Sequence, residues 1–192
     1  QVFTESSYFN HSSFNQLNAN SKWFDADQDF DLDFLNVSIY NKNNELFLKD
    51  DAGFKISKQI LSKEGGNANG YCLADIDADG DLDVFVYSVF GQKNLLYRQE
   101  SKGVFKKDYT NIALQAENNA FYAAFTDIDL DHDADLIITD TELWNPDKTR
   151  KSTRIFLNDG KGNFSKHEKD VFRTALSNTR SFLVTDFNKD LL

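Results

Sequence analysis

The sequence predicts an all-β protein, a β-propeller of four-stranded antiparallel blades, from two landmarks that recur together. The first landmark is a cluster of alternating Asp residues that begins at Asp25, Asp75, Asp127 and, in shorter form, Asp186, so that the spacings are 50, 52 and 59 residues. The second landmark is a Phe that lies 21 or 22 residues before each cluster. A period of this length is typical of repeat architectures, in which one supersecondary unit stacks on the next.

Each period contains four short segments with the composition of β-strands. An apolar segment precedes the Asp cluster, a nearly continuous apolar run follows it, a third strand ends at a turn that carries Gly, and the landmark Phe begins a fourth strand. In the second period the predicted strands are residues 71–76, 83–89, 93–99 and 105–110. Four antiparallel strands in about 50 residues describe one propeller blade.

We predict that residues 1–192 form a single propeller segment of about 3.5 blades. Its parts are the last strand of a preceding blade and a linker at 1–20, blades at 21–60, 71–110 and 120–170, and the start of a further blade at 180–192. Because a repeat architecture that is cut exposes an uncapped apolar face, we expect the segment to belong to a longer propeller of roughly six to eight blades.

Composition excludes several classes of protein. Hydrophobic residues make up 40% of the chain and aromatic residues 14%, which is enough for a core and argues against disorder. The net charge of −10 argues against a nucleic-acid partner, and the sequence has no apolar run near the roughly 18 residues that membrane insertion requires. The single Cys, Cys72, excludes an intrachain disulfide framework, and we expect it to be a small buried hydrophobic residue.

Fifteen Asp residues are concentrated in three stretches without any Lys or Arg: loop I (25–33), loop II (75–83) and loop III (127–135). A solvated acidic surface would mix Glu with Asp and scatter both, whereas these Asp residues alternate strictly. In each loop, carboxylates occupy positions 1, 3, 5 and 9, and position 7 can add a backbone carbonyl. A set of hard oxygen donors of this size predicts calcium rather than zinc or copper. An EF-hand is excluded because its closing Glu would fall at position 12, which is Val86 in the second loop.

The pattern Asp75-x-Asp77-x-Asp79-Gly80-x-x-Asp83, followed by an apolar strand, resembles the calcium loop of the FG-GAP or VCBS repeat family, found in integrin α-subunit propellers. The turn at 158–164, with the sequence Asn-Asp-Gly-Lys-Gly-Asn-Phe, is similar to that family's turn between the third and fourth strands. The resemblance spans nearly the whole chain. It implies a propeller with two or three structural calcium ions.

The resemblance also implies the ligands of each ion. The side-chain ligands would be Asp25, Asp27, Asp29 and Asp33; Asp75, Asp77, Asp79 and Asp83; and Asp127, Asp129, Asp131 and Asp135. The backbone carbonyls would come from Asp31, Asp81 and Asp133.

Position 6 of the loop is normally Gly, but it is Phe30 in loop I and His132 in loop III. We therefore expect loop II, with Gly80, to bind calcium most tightly, and we expect His132 to point to solvent rather than to ligate. The fourth cluster has Asp186, Asn188 and Asp190 but reaches no position 9.

The sequence predicts recognition rather than catalysis, because no Ser-His-Asp or Cys-His arrangement is visible. We expect an extracellular or cell-surface adhesion or scaffold module that binds a protein or glycan partner and the remaining blades of its propeller. A long connection in the third blade carries the predicted partner contacts Trp144, Lys148, Arg150 and Lys151, although a tolerated surface insertion would account for it equally well. The alternative is the propeller of a secreted polysaccharide-active enzyme, since some polysaccharide lyases resemble this family.

Overall fold

A computed structural model describes residues 18–111, 114, 119–141, 153–167 and 179–185. In this part of the chain the regular structure is almost entirely β, and most strands fall into three four-stranded antiparallel sheets. Each sheet follows the predicted order of strands along the chain, so the sheets are the blades of a β-propeller. The predicted fold class is therefore confirmed.

The strands follow one another with short turns. The first blade contains β1 (Asn18–Phe24), β2 (Asp33–Ser38), the two-residue β3 (Lys42–Asn43), β4 (Glu45–Asp50) and β5 (Gly53–Ile56). A 3-10 turn (Ile60–Ser62) and the two-residue β6 (Gly65–Gly66) lead to the second blade: β7 (Ala68–Ala74), β8 (Asp83–Ser88), β9 (Leu95–Ser101) and β10 (Val104–Asp108). The third blade contains β11 (Ala120–Thr126), β12 (Asp135–Asp140), β13 (Thr153–Asn158) and β14 (Phe164–Lys166).

The blade sheets have the spatial orders β1-β2-β4-β5, β7-β8-β9-β10 and β11-β12-β13-β14, and all neighbouring strands are antiparallel. The first strands of successive blades lie next to one another, β7 between β1 and β11. The short strands β3 and β6 pair with each other outside the blade sheets. This arrangement places the same turn of every blade on the same face of the molecule.

A β-bulge recurs in the first strand of every blade, between Asn18 and Asn20, between Ala68 and Gly70, and between Ala120 and Tyr122. A bulge leaves one residue without a ladder partner and bends the strand. The side-chain amide of Asn69 in the second bulge donates to the backbone carbonyl of Phe121 in the third, at 2.9 Å. The irregularity thus links adjacent blades.

Two apolar clusters fill the spaces between blades. One joins the first two blades around Leu35, Tyr71 and Val86, and the other joins the second and third around Phe85 and Ile138. Burial of this apolar surface is the main force that holds the blades together.

Individual core residues follow the sequence predictions with one exception. The Cys72 thiol is buried, as expected, and burial raises its pKa. The landmark residues Phe105 and Phe164 are buried, whereas Phe54 is half-buried against Trp23.

The strand boundaries differ from the prediction by up to three residues. The first strand of the second blade begins at Ala68 rather than at residue 71, because its bulge lets the chain continue pairing upstream. It ends at Ala74 rather than 76, because Asp75 already starts the Asp-rich loop. Within the described ranges no helix has the length and hydropathy that crossing a bilayer requires.

Candidate metal centre

The three Asp-rich loops occupy equivalent places, each between the first and second strands of a blade. In each loop at least three carboxylates converge, with one oxygen of each lying within 4.8 Å of the others. Donors that surround one calcium ion at roughly 2.3–2.6 Å lie at most about 5 Å apart, so this spacing suits a single ion. The convergent sets are Asp25, Asp27 and Asp29; Asp75, Asp77 and Asp83; and Asp127, Asp129 and Asp135.

Backbone hydrogen bonds give the loops one shared shape. The position-1 carboxylate accepts from the N–H of position 6, at 3.0 Å from Phe30 to Asp25 and at 2.9 Å from Gly80 to Asp75. The position-5 carboxylate accepts from the N–H of position 7 in all three loops, at 2.8–3.0 Å. Short polar side chains that bind their own backbone in this way stabilise tight turns.

The position-9 carboxylates tie each loop to the rest of its blade. In loop II, one oxygen of Asp83 accepts from the N–H of Ile76 at 3.1 Å, and the other accepts from the N–H of Gln99 in the third strand at 2.8 Å. Asp33 and Asp135 make the same two kinds of bond in their own loops. All three side chains are at most 1% exposed. Position 9 therefore fixes each loop to its sheet, and in loops II and III it also belongs to the convergent set.

Burial makes these carboxylates costly to ionise in the absence of a cation. Desolvation raises the pKa of Asp83 to about 7, against the lowering effect of its two N–H donors and with a further contribution from Asp77 and Asp79. Desolvation likewise raises the pKa of Asp33 and of Asp135. A cation placed between these groups would remove that penalty.

Three buried carboxylate oxygens in the described residues have no hydrogen-bond partner: Oδ1 of Asp27, of Asp77 and of Asp127. Each belongs to one of the convergent sets. A buried charged oxygen without a partner is expensive, and a divalent cation satisfies it directly. The residues present therefore fit calcium, with a donor set made only of oxygen.

Some predicted ligands stand apart from the convergent sets. Asp33, Asp79 and Asp131 are not members of them. At position 7 the carboxylate of Asp31 pairs with Lys49, and that of Asp81 accepts from the side chain of Gln28 in loop I. The side chains of Asp31 and Asp81 are therefore engaged outside the convergent sets, and the backbone carbonyl of position 7 stays a predicted ligand. The side chain of His132 is 95% exposed and so points to solvent, as expected.

Position 6 adopts a left-handed backbone in every loop, with φ of 72° at Phe30, 91° at Gly80 and 75° at His132. A bulky residue in this region is strained, and Gly is not. Position 4 is also left-handed, at Gln28, Ala78 and Leu130, with φ of 57–65°. Sequence analysis could not find the left-handed backbone at position 4, because no Gly or Asn occupies that position.

We expect the substitution Phe30→Gly to stabilise the protein and to raise the calcium affinity of loop I. The Phe30 side chain is 96% exposed, so its removal loses little packing, and release of the left-handed strain is worth about 1 kcal/mol. The matched change is Gly80→Ala, where an added Cβ meets no atom within 4 Å and only strain is introduced. Thermal unfolding in calcium should show shifts of opposite sign, and shifts of the same sign would contradict the strain argument.

Asp79→Ala should lower the midpoint of thermal unfolding in calcium more than Asp29→Ala. The reason is that loop II, with Gly80 at position 6, is expected to bind calcium more tightly than loop I.

Loops I and II are supported by the turn between the third and fourth strands of the following blade. The N–H of Gly103 donates to the position-2 carbonyl of Ala26 at 3.1 Å, and the Asn158 side chain donates to the equivalent carbonyl of Ile76 at 2.8 Å. Arg98 binds the Asp77 carboxylate at 3.1 Å and the carbonyl of Gly162 at 2.6 Å. Sequence analysis missed these contacts because they join residues about 20–80 positions apart.

Without metal, we expect stability to fall as the pH rises from about 4 to 7. The pKa of Asp83 is near 3.8 in the unfolded chain and about 7 in the folded one, so the folded state binds more protons in this window. The free-energy cost of ionising Asp83 in the folded state is absent below pH 3.8 and complete above about pH 7. It is at most about 4 kcal/mol. Denaturation in EDTA at pH 5 and pH 8 tests this, and Asp83→Asn should flatten the dependence. Unchanged or rising stability in EDTA would contradict the prediction.

Several predicted site residues lie outside the described residues. They are the partner contacts Trp144, Lys148, Arg150 and Lys151, and the fourth-cluster residues Asp186, Asn188 and Asp190.

The blades and their loops define a repeat protein in which each unit carries an Asp-rich loop able to hold a cation. The model of the FG-GAP-like repeat matches residues 25–86 and 75–138, and each match begins at the first Asp of a loop. Together the matches cover more than half of the chain, and the chain belongs to the FG-GAP-like repeat family. Repeats of this family are typical of extracellular proteins. Comparison with curated proteins finds no match.

Proposed function

We propose that this chain is a calcium-stabilised recognition module of an extracellular or cell-surface protein. The observation that carries the proposal is the set of three convergent carboxylate groups in equivalent loops, each with a buried oxygen that lacks a hydrogen-bond partner. One calcium ion in each loop would neutralise the carboxylates and clamp the turn between the first two strands. The ligands would be the convergent side chains, completed by the other predicted positions of each loop.

The extracellular assignment is supported by the family and by the chemistry of the loops. Loops with Phe30 or His132 at the strained position 6 suit a compartment with millimolar calcium, where weak sites are filled. The carboxylates at positions 1, 5 and 9 accept backbone hydrogen bonds, and in the proposal the convergent carboxylates bind metal. We therefore give this chain no catalytic role and place its function in contact with a protein or glycan. The residues Trp144, Lys148, Arg150 and Lys151 are proposed to contact that partner.

Calcium stoichiometry tests the proposal directly. The chain should bind two or three calcium ions when it is dialysed against calcium, washed and analysed by elemental mass spectrometry. Replacement of the three position-1 residues by Ala, with Asp25→Ala, Asp75→Ala and Asp127→Ala combined, should abolish binding. The matched control replaces the exposed acidic residues Asp51 and Glu100, which lie outside the loops. Retention of no calcium by the wild-type chain, or equal loss in the control, would overturn the proposal.

A further inference from the structure

The turn after the second blade strand carries an exposed aromatic residue at the same place in the first two blades. This turn leads from β2 towards β4 in the first blade and from β8 to β9 in the second. Tyr40 and Phe90 each lie seven residues after the position-9 Asp of their blade, and they are 58% and 44% exposed. Their rings stack on each other across the blade boundary, with centroids 6.3 Å apart and an interplanar angle of 26°. These turns lie on the face opposite the Asp-rich loops, because they connect the other ends of the same strands.

Both aromatic residues have a left-handed backbone, which is unfavourable for bulky side chains. The φ angles are 59° at Tyr40 and 57° at Phe90, and the next residues, Asn41 and Gly91, are left-handed as well. Two successive residues of this kind ordinarily include Asn or Gly at both places. The strain at an exposed aromatic residue occurs twice in register, and such strain is concentrated at functional positions.

The neighbouring blade holds each turn in place. The Tyr40 N–H donates to the side-chain carbonyl of Asn67 at 3.1 Å, and the Gly91 N–H donates to that of Asn119 at 3.3 Å. Asn67 and Asn119 each lie eight residues before the first Asp of the next loop, so the contact is part of the repeat. Because the turns are fixed before any ligand arrives, little conformational entropy is lost on binding.

The surroundings of the two rings are polar and locally cationic. Residues 39–44 and 89–94 contain no Asp or Glu, and each turn has one exposed cation, Lys42 or Lys93. This contrasts with the net charge of −10 for the whole chain. Exposed amides of Asn41 and Asn43 lie in the same segment. The surface therefore combines flat rings, amide donors and ammonium groups, and it favours a ligand with negative charge.

We propose that Tyr40 and Phe90 form a platform for an anionic glycan, with Lys42 and Lys93 binding its carboxylate or sulfate groups. A sugar ring offers a flat apolar face for the aromatic residues and hydroxyl groups for the amides. A protein partner fits less well, because protein interfaces are depleted in Lys at their cores and need a larger apolar area than two rings supply. The proposal deepens the recognition function proposed above and rests on it.

Calorimetric titration of the full chain in saturating calcium tests the platform. The probes are a sulfated galactan oligosaccharide, a hyaluronan oligosaccharide as the carboxylate form, an unsulfated galactan of equal length, and a poly-glutamate peptide. We expect at least one anionic oligosaccharide to bind, and the neutral galactan to bind at least roughly tenfold more weakly. Lys42→Gln with Lys93→Gln should reduce binding and its dependence on salt.

The variants separate binding from folding. Tyr40→Asn with Phe90→Asn should weaken binding roughly tenfold or more while the thermal midpoint stays constant or rises, because Asn tolerates the left-handed backbone. The matched control is Tyr109→Asn, which replaces an exposed aromatic residue outside both turns and outside the Asp-rich loops, and which should leave glycan binding unchanged.

Three results would overturn the platform: no anionic oligosaccharide binds, binding survives the double Asn substitution, or poly-glutamate binds as tightly as the glycans. The first two would mean that these rings serve only contact between blades, and the third would assign the surface to an acidic polypeptide. Calcium stoichiometry, measured on the same samples, shows separately whether the calcium-stabilised module itself fails.

Discussion

Removal of calcium should lower the thermal midpoint of this protein by roughly 20 °C. A ligand at 100 times its Kd stabilises the folded state by about 2.7 kcal/mol per site, and three loops together give roughly 8 kcal/mol. For a chain of 192 residues each kcal/mol corresponds to about 2–4 °C. The effect arises because converging carboxylates such as Asp25, Asp27 and Asp29 repel one another when no cation lies between them.

Differential scanning calorimetry in millimolar calcium and in EDTA measures this difference. Magnesium at the same concentration is the control ion, and it should recover only a small part of the shift because it requires a smaller and more regular set of ligands. The same midpoint in calcium and in EDTA would show that the loops are stable acidic turns without a metal.

The substitution Asp83→Ala should lower the free energy of unfolding more than any other single substitution in loop II. It removes one proposed ligand and leaves the buried N–H groups of Ile76 and Gln99 without their acceptors, each at a cost of about 1–3 kcal/mol. With the loss of calcium from this loop, the free energy of unfolding in calcium should fall by roughly 5 kcal/mol. Urea denaturation measures the change.

Two further variants make this experiment specific. Asp81→Ala removes the same charge two residues away, from a half-buried side chain that accepts one hydrogen bond from the side chain of Gln28, and should cost only about 1 kcal/mol. Asp83→Asn keeps one acceptor oxygen and should fall between the two Ala variants. If Asp81→Ala is as damaging as Asp83→Ala, position 9 has no special role in joining the loop to the sheet.

The sequence predicted the blades well because repetition multiplies weak signals. A single apolar run such as 84–87 does not distinguish a buried strand from a helix. The two landmarks recur four times at nearly the same distance from each other, and this repetition indicates a propeller built from strands. The same repetition located the Asp-rich loops and their left-handed position 6, where Gly80 carries the signal. The bulge in each first strand gave no such signal, since Ala19, Asn69 and Phe121 share no residue type.

The remainder of the site depends on contacts that spacing alone does not reveal. The alternation of Asp residues predicted a ligand at position 9, but it did not show that the Asp83 carboxylate accepts from the N–H of Gln99 in the third strand of its blade. Arg98 lies in β9, where nothing in the sequence marks it as a partner of a loop. Its contact with Asp77 is formed only when the chain folds. Asn67 and Asn119 could have been found, because both lie eight residues before a loop.

Loops I and II each receive support from the blade that follows them in the chain. The turn that carries Gly103 supports loop I, and the turn that carries Asn158 and Gly162 supports loop II. Each of these two loops therefore depends on the folding of the blade after it, through bonds that hold its position-2 carbonyl in place. The units of a repeat protein interact mainly with their nearest neighbours. Because these contacts join a turn to the loop of the preceding blade, loss of structure in one blade should destabilise the loop of the blade before it. Local unfolding of the third blade should therefore weaken the proposed calcium binding at loop II before it weakens that at loop I.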